Sequence, residues 1–139
     1  MEQSVREVMT PSPTTFPATA TVADAARAMR DANIGDVLVM KGKQICGIVT
    51  DRDIAVRVVA EGEDASKTKL GDVCSRDLTT LAATDSTDEA VTRMREQAIR
   101  RLPVVENGQP IGVVSIGDLA VERDPDSALA DISAAIPNT

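Results

Sequence analysis

Apolar residues recur along the chain in two kinds of block, one with helical spacing and one as short runs separated by polar turns. Residues 22–29 and 90–94 carry apolar side chains at helical spacing, so each stretch predicts a helix with one apolar face. Each predicted helix is followed by two apolar runs around a polar turn, a pattern typical of a β-hairpin. The runs are 37–40 with 45–49, and 102–105 with 111–114.

Polar residues mark where the two predicted helices begin. Thr21 and Ser86 occupy matching N-cap positions. Glu89 follows Ser86 by three residues, which predicts a full capping box in which the Glu89 carboxylate reaches back to the Ser86 amide. Closing helices are predicted over 51–60 and 117–123, and short amphipathic helices over 4–9 and 126–136.

The two blocks are copies of one another. Gly47 and Asp53 recur 65 positions later as Gly112 and Asp118, and the alignment between the two copies has no gap. Each copy predicts the order strand, helix, strand, strand, helix. We therefore expect an α/β (α+β) fold of two β-α-β-β-α repeats around a pseudo-two-fold axis. The expected segments are repeat 1 (4–60), a linker (61–69), repeat 2 (70–124) and a C-terminal tail (125–139). Duplication for packing alone stays an open alternative.

Composition and charge remove whole classes of function. The 139-residue chain has no His, no Trp, no Tyr and one Phe, and its net charge is −7. Without His, a Ser-His-Asp or Cys-His catalytic arrangement and a His-based zinc site are excluded, and no aromatic platform exists for stacking bases. The acidic balance disfavours nucleic acid, and no apolar run reaches the ~18 residues of a membrane helix. We expect a cytoplasmic protein with no metal, no membrane contact and no catalytic residues.

The two cysteines, Cys46 and Cys74, lie 28 positions apart in the sequence. This spacing is neither that of a metal-ligand cluster nor that of a Cys-x-x-Cys redox motif. Two buried thiols in a reduced protein are the favoured interpretation. Because sequence distance does not fix spatial distance, a redox-sensitive disulfide between them stays open.

A short string, Gly-x-x-Thr/Ser-x-x-Asp, occurs once in each repeat, where a strand runs into a helix. At such a junction, the hydroxyl of Thr50 or Ser115 and the first helix amides point to one place, which favours an anion such as phosphate. Asp53 or Asp118, one helical turn further, is placed to accept hydrogen bonds from ribose hydroxyls. The alternative is that these hydroxyls are only N-caps and that the carboxylates only complement the helix dipole. Either copy alone favours this alternative, because capping patterns are common, and the duplication reduces that preference without removing it.

Taken together, these motifs resemble the tandem cystathionine-β-synthase (CBS) domain pair, also called a Bateman module. The resemblance rests on residues 5–11, 47–53, 100–104 and 112–118, in that order, and it spans about residues 4–124. It implies two β-α-β-β-α units packed sheet to sheet with two clefts between them. It also implies a regulatory sensor of adenine nucleotides or related adenosyl ligands, which often assembles as a homodimer.

The resemblance further implies roles for individual residues. Thr50 and Ser115 would be the phosphate-side hydroxyls, and Asp53 and Asp118 would be the ribose acceptors. Residues 14–16, 34–37, 79–81 and 99–103 would line the clefts, and the positions singled out among them are Thr15, Ile34, Val37, Thr80, Arg101 and Pro103.

The two copies differ at the positions expected to line the clefts. Arg101 stands where the first copy has Asp36, and Pro103 stands where it has Leu38. Because a guanidinium attracts phosphate and a carboxylate repels it, we expect one strong site in repeat 2 and one weak or empty site in repeat 1. Arg57 is a further cation near the first junction, and we expect it on a solvated helix face.

The leading hypothesis is a regulatory module that senses AMP, ADP, ATP or S-adenosylmethionine and signals to an unknown protein partner in trans. It requires no cofactor beyond this ligand. The alternative is a structural or interaction homodimer with vestigial, ligand-free clefts. An enzyme is disfavoured, because no general base is evidently paired with a nucleophile.

Overall fold

The computed structural model describes residues 3–74, 78–123 and 132, except for the side chains of residues 122 and 123. The elements, in chain order, are α1 (Val5–Val8), β1 (Thr10–Pro11), β2 (Thr15–Pro17), α2 (Val22–Ala32), β3 (Asp36–Lys41), β4 (Gln44–Thr50), α3 (Asp51–Ile54), a π-helical segment (Ala55–Val59), α4 (Leu70–Val73), β5 (Leu81–Ala82), α5 (Thr87–Gln97), β6 (Arg101–Glu106), β7 (Gln109–Ser115) and α6 (Ile116–Arg123). The helix predicted over 126–136 lies outside the described residues, apart from Ile132. Among the helices described, none combines the length and the apolar character that a bilayer crossing needs.

The described residues form two compact units, which we name the continuous unit and the split unit. The continuous unit consists of residues 14–74, and the split unit combines residues 3–13 with residues 79–123. Both contain the order strand, helix, strand, strand, helix that the sequence predicts. The prediction of a mixed fold built from two repeated units is therefore confirmed.

In the continuous unit, β3 is the middle strand of a three-stranded sheet with the order β2-β3-β4. The strand β2 runs parallel to β3, with Thr15 opposite Leu38, and α2 provides the crossover between them. The strands β3 and β4 form an antiparallel hairpin. Its turn contains Gly42 at a φ of +64°, a left-handed conformation that glycine adopts without steric cost.

The split unit repeats this arrangement and adds a strand from the start of the chain. Its sheet has the order β1-β7-β6-β5, with β5 parallel to β6 and β7 antiparallel to β6. The strand β1 pairs antiparallel with β7, and Thr10 lies opposite Val113. The hairpin turn contains Asn107 and Gly108, both at positive φ, as the tight Asn-Gly hairpin turn requires.

The short helix at the start of each sequence repeat packs in the unit that holds the other repeat. The helix α1 belongs to the split unit, where the Val5 amide donates to the Asp85 carbonyl at 2.8 Å. The helix α4 belongs to the continuous unit, where the Leu70 amide donates to the Ala20 carbonyl at 2.9 Å. The compact units thus cross the predicted repeat boundaries at these two leading segments.

Both long helices are capped at their N-termini, but in different ways. Thr21 and Asp24 form a full capping box, in which the Thr21 hydroxyl accepts from the Asp24 amide and the Asp24 carboxylate accepts from the Thr21 amide. Ser86 accepts from the Glu89 amide at 3.1 Å, but the Glu89 carboxylate accepts from Arg93 Nε at 2.9 Å. The predicted return bond from Glu89 to the Ser86 amide is therefore wrong. A charged donor four residues on competes successfully with a backbone amide.

Each unit has its own hydrophobic core, formed by one face of its sheet and the helices packed on it. The core of the continuous unit includes Val22, Val37, Val39, Val49 and Leu70. The core of the split unit includes Val5, Leu81, Leu102, Val104 and Val114. Because side chains alternate along a strand, the residues between these core positions project from the opposite face of each sheet.

Candidate functional site

The predicted junction of the continuous unit lies where β4 ends at Thr50 and α3 begins at Asp51. The Thr50 hydroxyl accepts a hydrogen bond from the Asp53 amide at 3.1 Å, and the Thr50 amide donates to Asp53 Oδ2 at 2.9 Å. These reciprocal bonds form a capping box, which holds the Asp53 carboxylate beside the Thr50 hydroxyl.

The matching junction of the split unit lies where β7 ends at Ser115 and α6 begins. The Ser115 hydroxyl accepts from the Asp118 amide at 3.0 Å, and the Ser115 amide donates to Asp118 Oδ2 at 2.9 Å. The corresponding distances at the two junctions differ by no more than 0.1 Å. The sequence repeat is therefore also a repeat of local geometry.

The capping bonds leave hydrogen-bonding capacity in both side chains. A carboxylate offers about four acceptor sites, and a hydroxyl that accepts an amide proton keeps its own proton to donate. Asp53 is held by its Oδ2 atom, while its Oδ1 atom lies 3.9 Å from Arg57 Nε. The Asp53 side chain is 17% exposed, so it is shielded but not closed to a ligand. The geometry therefore fits the capping role and leaves hydrogen-bonding capacity for the binding role that the sequence predicts.

Strand pairing places residues of different charge beside the two capping hydroxyls. Asp36 of β3 lies opposite Thr50, and Arg101 of β6 lies opposite Ser115. Residues directly opposite one another project from the same sheet face, with Cβ atoms about 4.5–5.5 Å apart. The Ser115 hydroxyl thus has a cationic neighbour where the Thr50 hydroxyl has an anionic one.

Two further predicted site residues, Thr15 and Pro103, share the sheet face of the capping hydroxyls. Thr15 lies opposite Leu38, which is two residues from Asp36 on β3, and Pro103 is two residues from Arg101 on β6. We name this surface the outer face of each unit. It comprises Thr15, Asp36, Leu38, Ile48 and Thr50 in the continuous unit, and Arg101, Pro103, Val113 and Ser115 in the split unit.

Of the remaining predicted site residues, Ile34 and Val37 lie on the core side of the continuous unit, and Thr80 precedes β5. Val37 is fully buried in the core of the continuous unit, and Ile34 packs against the same core. Because Val37 follows Asp36 on β3, its side chain projects from the face opposite to the outer face. Thr80 lies just before β5, and its carbonyl accepts from Arg93 Nη1 at 2.5 Å.

One cation near the first junction has a contact that its local sequence does not signal. Arg57 is half exposed, as the predicted solvated helix face requires, but its Nη1 donates to the Val73 carbonyl at 3.0 Å. This bond ties the π-helical segment to α4. Its partner is a backbone carbonyl 16 residues away, so no short-range pattern reveals it.

Leu38 lies on the outer face of the continuous unit, and the sequence motifs do not single it out. It is fully buried, although it is not part of the core cluster of the continuous unit. Its position between Val37 and Val39 on β3 is the available signal, since strand alternation places it on the same face as Asp36.

Comparison with known proteins places this fold in a family. The family model described as CBS domain matches residues 5–60 and 70–123. The CBS domain-containing protein YhcV of Bacillus subtilis is 36% identical over 134 residues, which is 94% of this chain and 95% of YhcV. A solved protein with CBS domains from Burkholderia ambifaria is 32% identical, has a TM-score of 0.81 and covers 90% of this chain and 96% of its own.

A third similar protein shows the fold alone. The CBS domain pair of protein MJ0100 was solved in complex with 5′-methylthioadenosine and S-adenosyl-L-methionine. It has a TM-score of 0.81 at 20% sequence identity, and it covers 91% of this chain and 100% of its own.

The repeated fold and the duplicated junctions define a two-unit regulatory module. The family matches take in most of both repeats, so the chain belongs to the CBS domain family and carries a CBS domain pair. The resemblance drawn from residues 5–11, 47–53, 100–104 and 112–118 is confirmed.

Proposed function

We propose that this CBS domain pair binds an adenine nucleotide or a related adenosyl ligand at the two junctions and signals its occupancy to a protein partner in trans. The observation that carries the proposal is the capping box of Ser115 and Asp118 with Arg101 opposite the hydroxyl. A hydroxyl, helix-start amides and a guanidinium are the groups that bind phosphate, and a carboxylate suits vicinal ribose hydroxyls.

The charge beside each junction gives the two sites different preferences. Arg101 favours a ligand with a 5′-phosphate at the split-unit junction, such as AMP, ADP or ATP. Asp36 disfavours phosphate at the continuous-unit junction. The 5′ sulfonium of S-adenosylmethionine is a cation, so the same carboxylate favours that ligand. The complex of MJ0100 with two adenosyl compounds that lack a 5′-phosphate supports this class of ligand.

Signalling follows from binding without any catalytic step. A ligand that contacts a capping hydroxyl and its carboxylate stabilises the conformation in which both are correctly placed. A partner with a different affinity for that conformation is coupled to the ligand by the difference in binding free energy. The proposal therefore assigns the chain no enzymatic activity.

The replacement Asp118→Asn tests the ribose role while retaining the helix cap. The amide oxygen of Asn accepts from the Ser115 amide, as Asp118 Oδ2 does, but its NH₂ group replaces an acceptor by a donor. We expect AMP binding, measured by isothermal titration calorimetry, to weaken by about tenfold or more, with an unchanged Tm.

A matched control is available in the capping box that begins α2. Asp24→Asn changes a carboxylate that also closes a capping box, but at the start of α2 and not at a junction, so the affinity for AMP should stay at the wild-type value. Wild-type affinity in Asp118→Asn, or equal losses in both variants, would refute the ribose role of Asp118. Because the chain has no Trp and no Tyr, an adenine compound that co-purifies is visible directly in its near-ultraviolet spectrum.

A second candidate function is that of an interaction homodimer. Val56 and Val121 occupy matching positions in the two closing helical segments, and they are 47% and 38% exposed. Exposed apolar residues repeated in this way favour a contact surface. Analytical ultracentrifugation should show a dimer that the double variant Val56→Lys/Val121→Lys dissociates. A stable dimer that binds no adenosyl compound would support this function over the sensor, and a wild-type monomer would rule it out.

A further inference from the structure

We propose that Cys46 and Cys74 form a reversible intramolecular disulfide, which makes the continuous unit a site of redox modification. Their Sγ atoms lie 3.7 Å apart, and neither cysteine is in a disulfide in this structure. A disulfide has a sulfur–sulfur distance of about 2.05 Å, so closure requires the two sulfur atoms to approach by roughly 1.6 Å. Both residues belong to the continuous unit.

The position of each thiol is set by a local feature of the backbone. Cys46 is the extra residue of a β-bulge in β4, because its two neighbours in β4 pair with consecutive residues of β3. A bulge re-aims a side chain, and Cys46 packs against the core of its unit from a partly exposed position. Cys74 follows the last residue of α4 and is buried, at 6% exposure. The bulge and the end of α4 thus place the thiol of a partly exposed residue against the thiol of a buried one.

The split unit shows that packing does not require cysteine at these two places. Ile111 is the bulge residue of β7 and matches Cys46, while Met9 follows α1 and matches Cys74. Both residues pack against the core of the split unit. Ordinary apolar side chains therefore fill the same positions of the same fold. The cysteine pair adds a chemistry that the fold itself does not need.

The oxidation balances with a small-molecule disulfide, such as oxidised glutathione, as the oxidant. The thiolate of Cys46, the more accessible residue, attacks one sulfur of the oxidant and releases one glutathione thiolate. The Cys74 thiolate then attacks the Cys46 sulfur of this mixed disulfide and releases the second glutathione. In total, two protein thiols lose two electrons and two protons, and one oxidised glutathione becomes two glutathione thiols. A dithiol reductant reverses both steps.

The experiment treats the full chain with oxidised glutathione and then counts thiols under denaturing conditions, together with the intact mass. We expect both thiols to disappear in a monomer that has lost two hydrogens, and dithiothreitol to restore them. Cys74→Met should retain one glutathione on Cys46, because the resolving thiol is absent. Cys46→Ile should leave the buried Cys74 unmodified. Each variant carries the residue that the split unit has at the matching position, Ile111 for Cys46 and Met9 for Cys74. Circular dichroism checks that the variants fold.

Three outcomes would overturn the proposal. Two free thiols after oxidation would show that the pair does not close. Glutathione adducts that persist on the wild-type chain would show that Cys74 does not resolve the mixed disulfide. A disulfide between two chains, seen on a non-reducing gel, would show that Cys46 and Cys74 of one chain do not pair with each other. The wild-type measurement decides even if a variant fails to fold, and it needs no adenosyl ligand, so it is independent of the proposed function.

Discussion

The continuous and split units share their core positions but differ on the outer face beside the capping junction. Positions 37, 39 and 49 in one unit match positions 102, 104 and 114 in the other, and all six are apolar and fully buried. On the outer face, by contrast, Asp36 and Leu38 are matched by Arg101 and Pro103. Packing holds the core positions to apolar side chains in both units, whereas the outer face has diverged in charge. Under the proposed function, ligand preference is set on this face.

Pro103 also changes the backbone beside the junction. In the continuous unit, the Leu38 amide donates to the Thr14 carbonyl at 2.9 Å. Proline at the matching position has no N–H group, so the equivalent bond cannot form in the split unit. Accordingly, β5 begins at Leu81, one residue later in the repeat than β2, which begins at Thr15. The two units therefore differ in strand pairing as well as in charge.

The largest expected effect comes from the matched core positions Leu102 and Val37. Leu102→Ala should lower the free energy of unfolding by about 3 kcal/mol, because it leaves a cavity in a fully buried site. Val37→Ala removes one carbon fewer and should cost about 2 kcal/mol. Urea unfolding followed by circular dichroism measures both values. The exposed Val121→Ala should change stability by less than about 0.5 kcal/mol. A larger loss of unfolding free energy for Val37→Ala than for Leu102→Ala would show that the two cores are not equivalent.

The next effect concerns β1, the strand from the beginning of the described chain that pairs with β7 in the split unit. A Cβ atom at Gly112 would lie 2.5 Å from Met9 Sδ and 2.8 Å from the Thr10 carbonyl oxygen. Gly112→Ala should therefore cost about 1–3 kcal/mol of unfolding free energy in the same urea assay, because β1 has to shift. Gly71→Ala, whose Cβ would lie 3.1 Å from Ala18 Cβ, should cost less.

A second substitution separates side-chain crowding from backbone crowding at Gly112. Adding Met9→Ala to Gly112→Ala removes the sulfur atom but leaves the Thr10 carbonyl in place, so most of the loss should persist. Full recovery of stability would mean that β1 lies further from β7 than its pairing with Val113 indicates.

The smallest expected effect, on affinity alone, comes from exchanging the charges opposite the capping hydroxyls. Arg101→Asp should weaken ATP binding by about tenfold, equivalent to about 1.4 kcal/mol, and should leave 5′-methylthioadenosine, which has no phosphate, nearly unaffected. Asp36→Arg should strengthen ATP binding at the continuous-unit junction. Calorimetric titrations with both compounds measure the changes. Equal changes for the two ligands would show that neither residue acts on phosphate.

Much of the fold follows from local sequence patterns. The helical spacing over 22–29 and 90–94 predicts α2 and α5, and the paired apolar runs predict both hairpins. Each of these elements buries one face, so its apolar residues recur with the period of a helix or a strand. The capping boxes at Thr50 and Ser115 are predictable for the same reason, since their partners lie three residues away.

The remaining features of the fold and of the candidate site depend on contacts that the periodicity of the sequence does not indicate. The 65-residue repeat indicates that α1 and α4 occupy equivalent positions in the sequence. It does not indicate which sheet each helix packs against. The bond from Arg57 to the Val73 carbonyl and the approach of Cys46 to Cys74 join residues 16 and 28 positions apart. Such pairs are set by tertiary packing, so the local patterns leave them open.

Each compact unit contains the leading helix of the other sequence repeat, α1 in the split unit and α4 in the continuous unit. This arrangement imposes an order on folding during synthesis. Residues 14–74 contain every strand and helix that the structure describes for the continuous unit, so this unit can fold soon after residue 74 has left the ribosome. Residues 3–13 precede them, yet they have to wait until β7 is synthesised, since Thr10 pairs with Val113. Until β7 has been made, the nascent chain therefore carries Val5, which is fully buried in the folded structure, without the residues that cover it. Val5 is then an exposed apolar residue of the kind that chaperones bind.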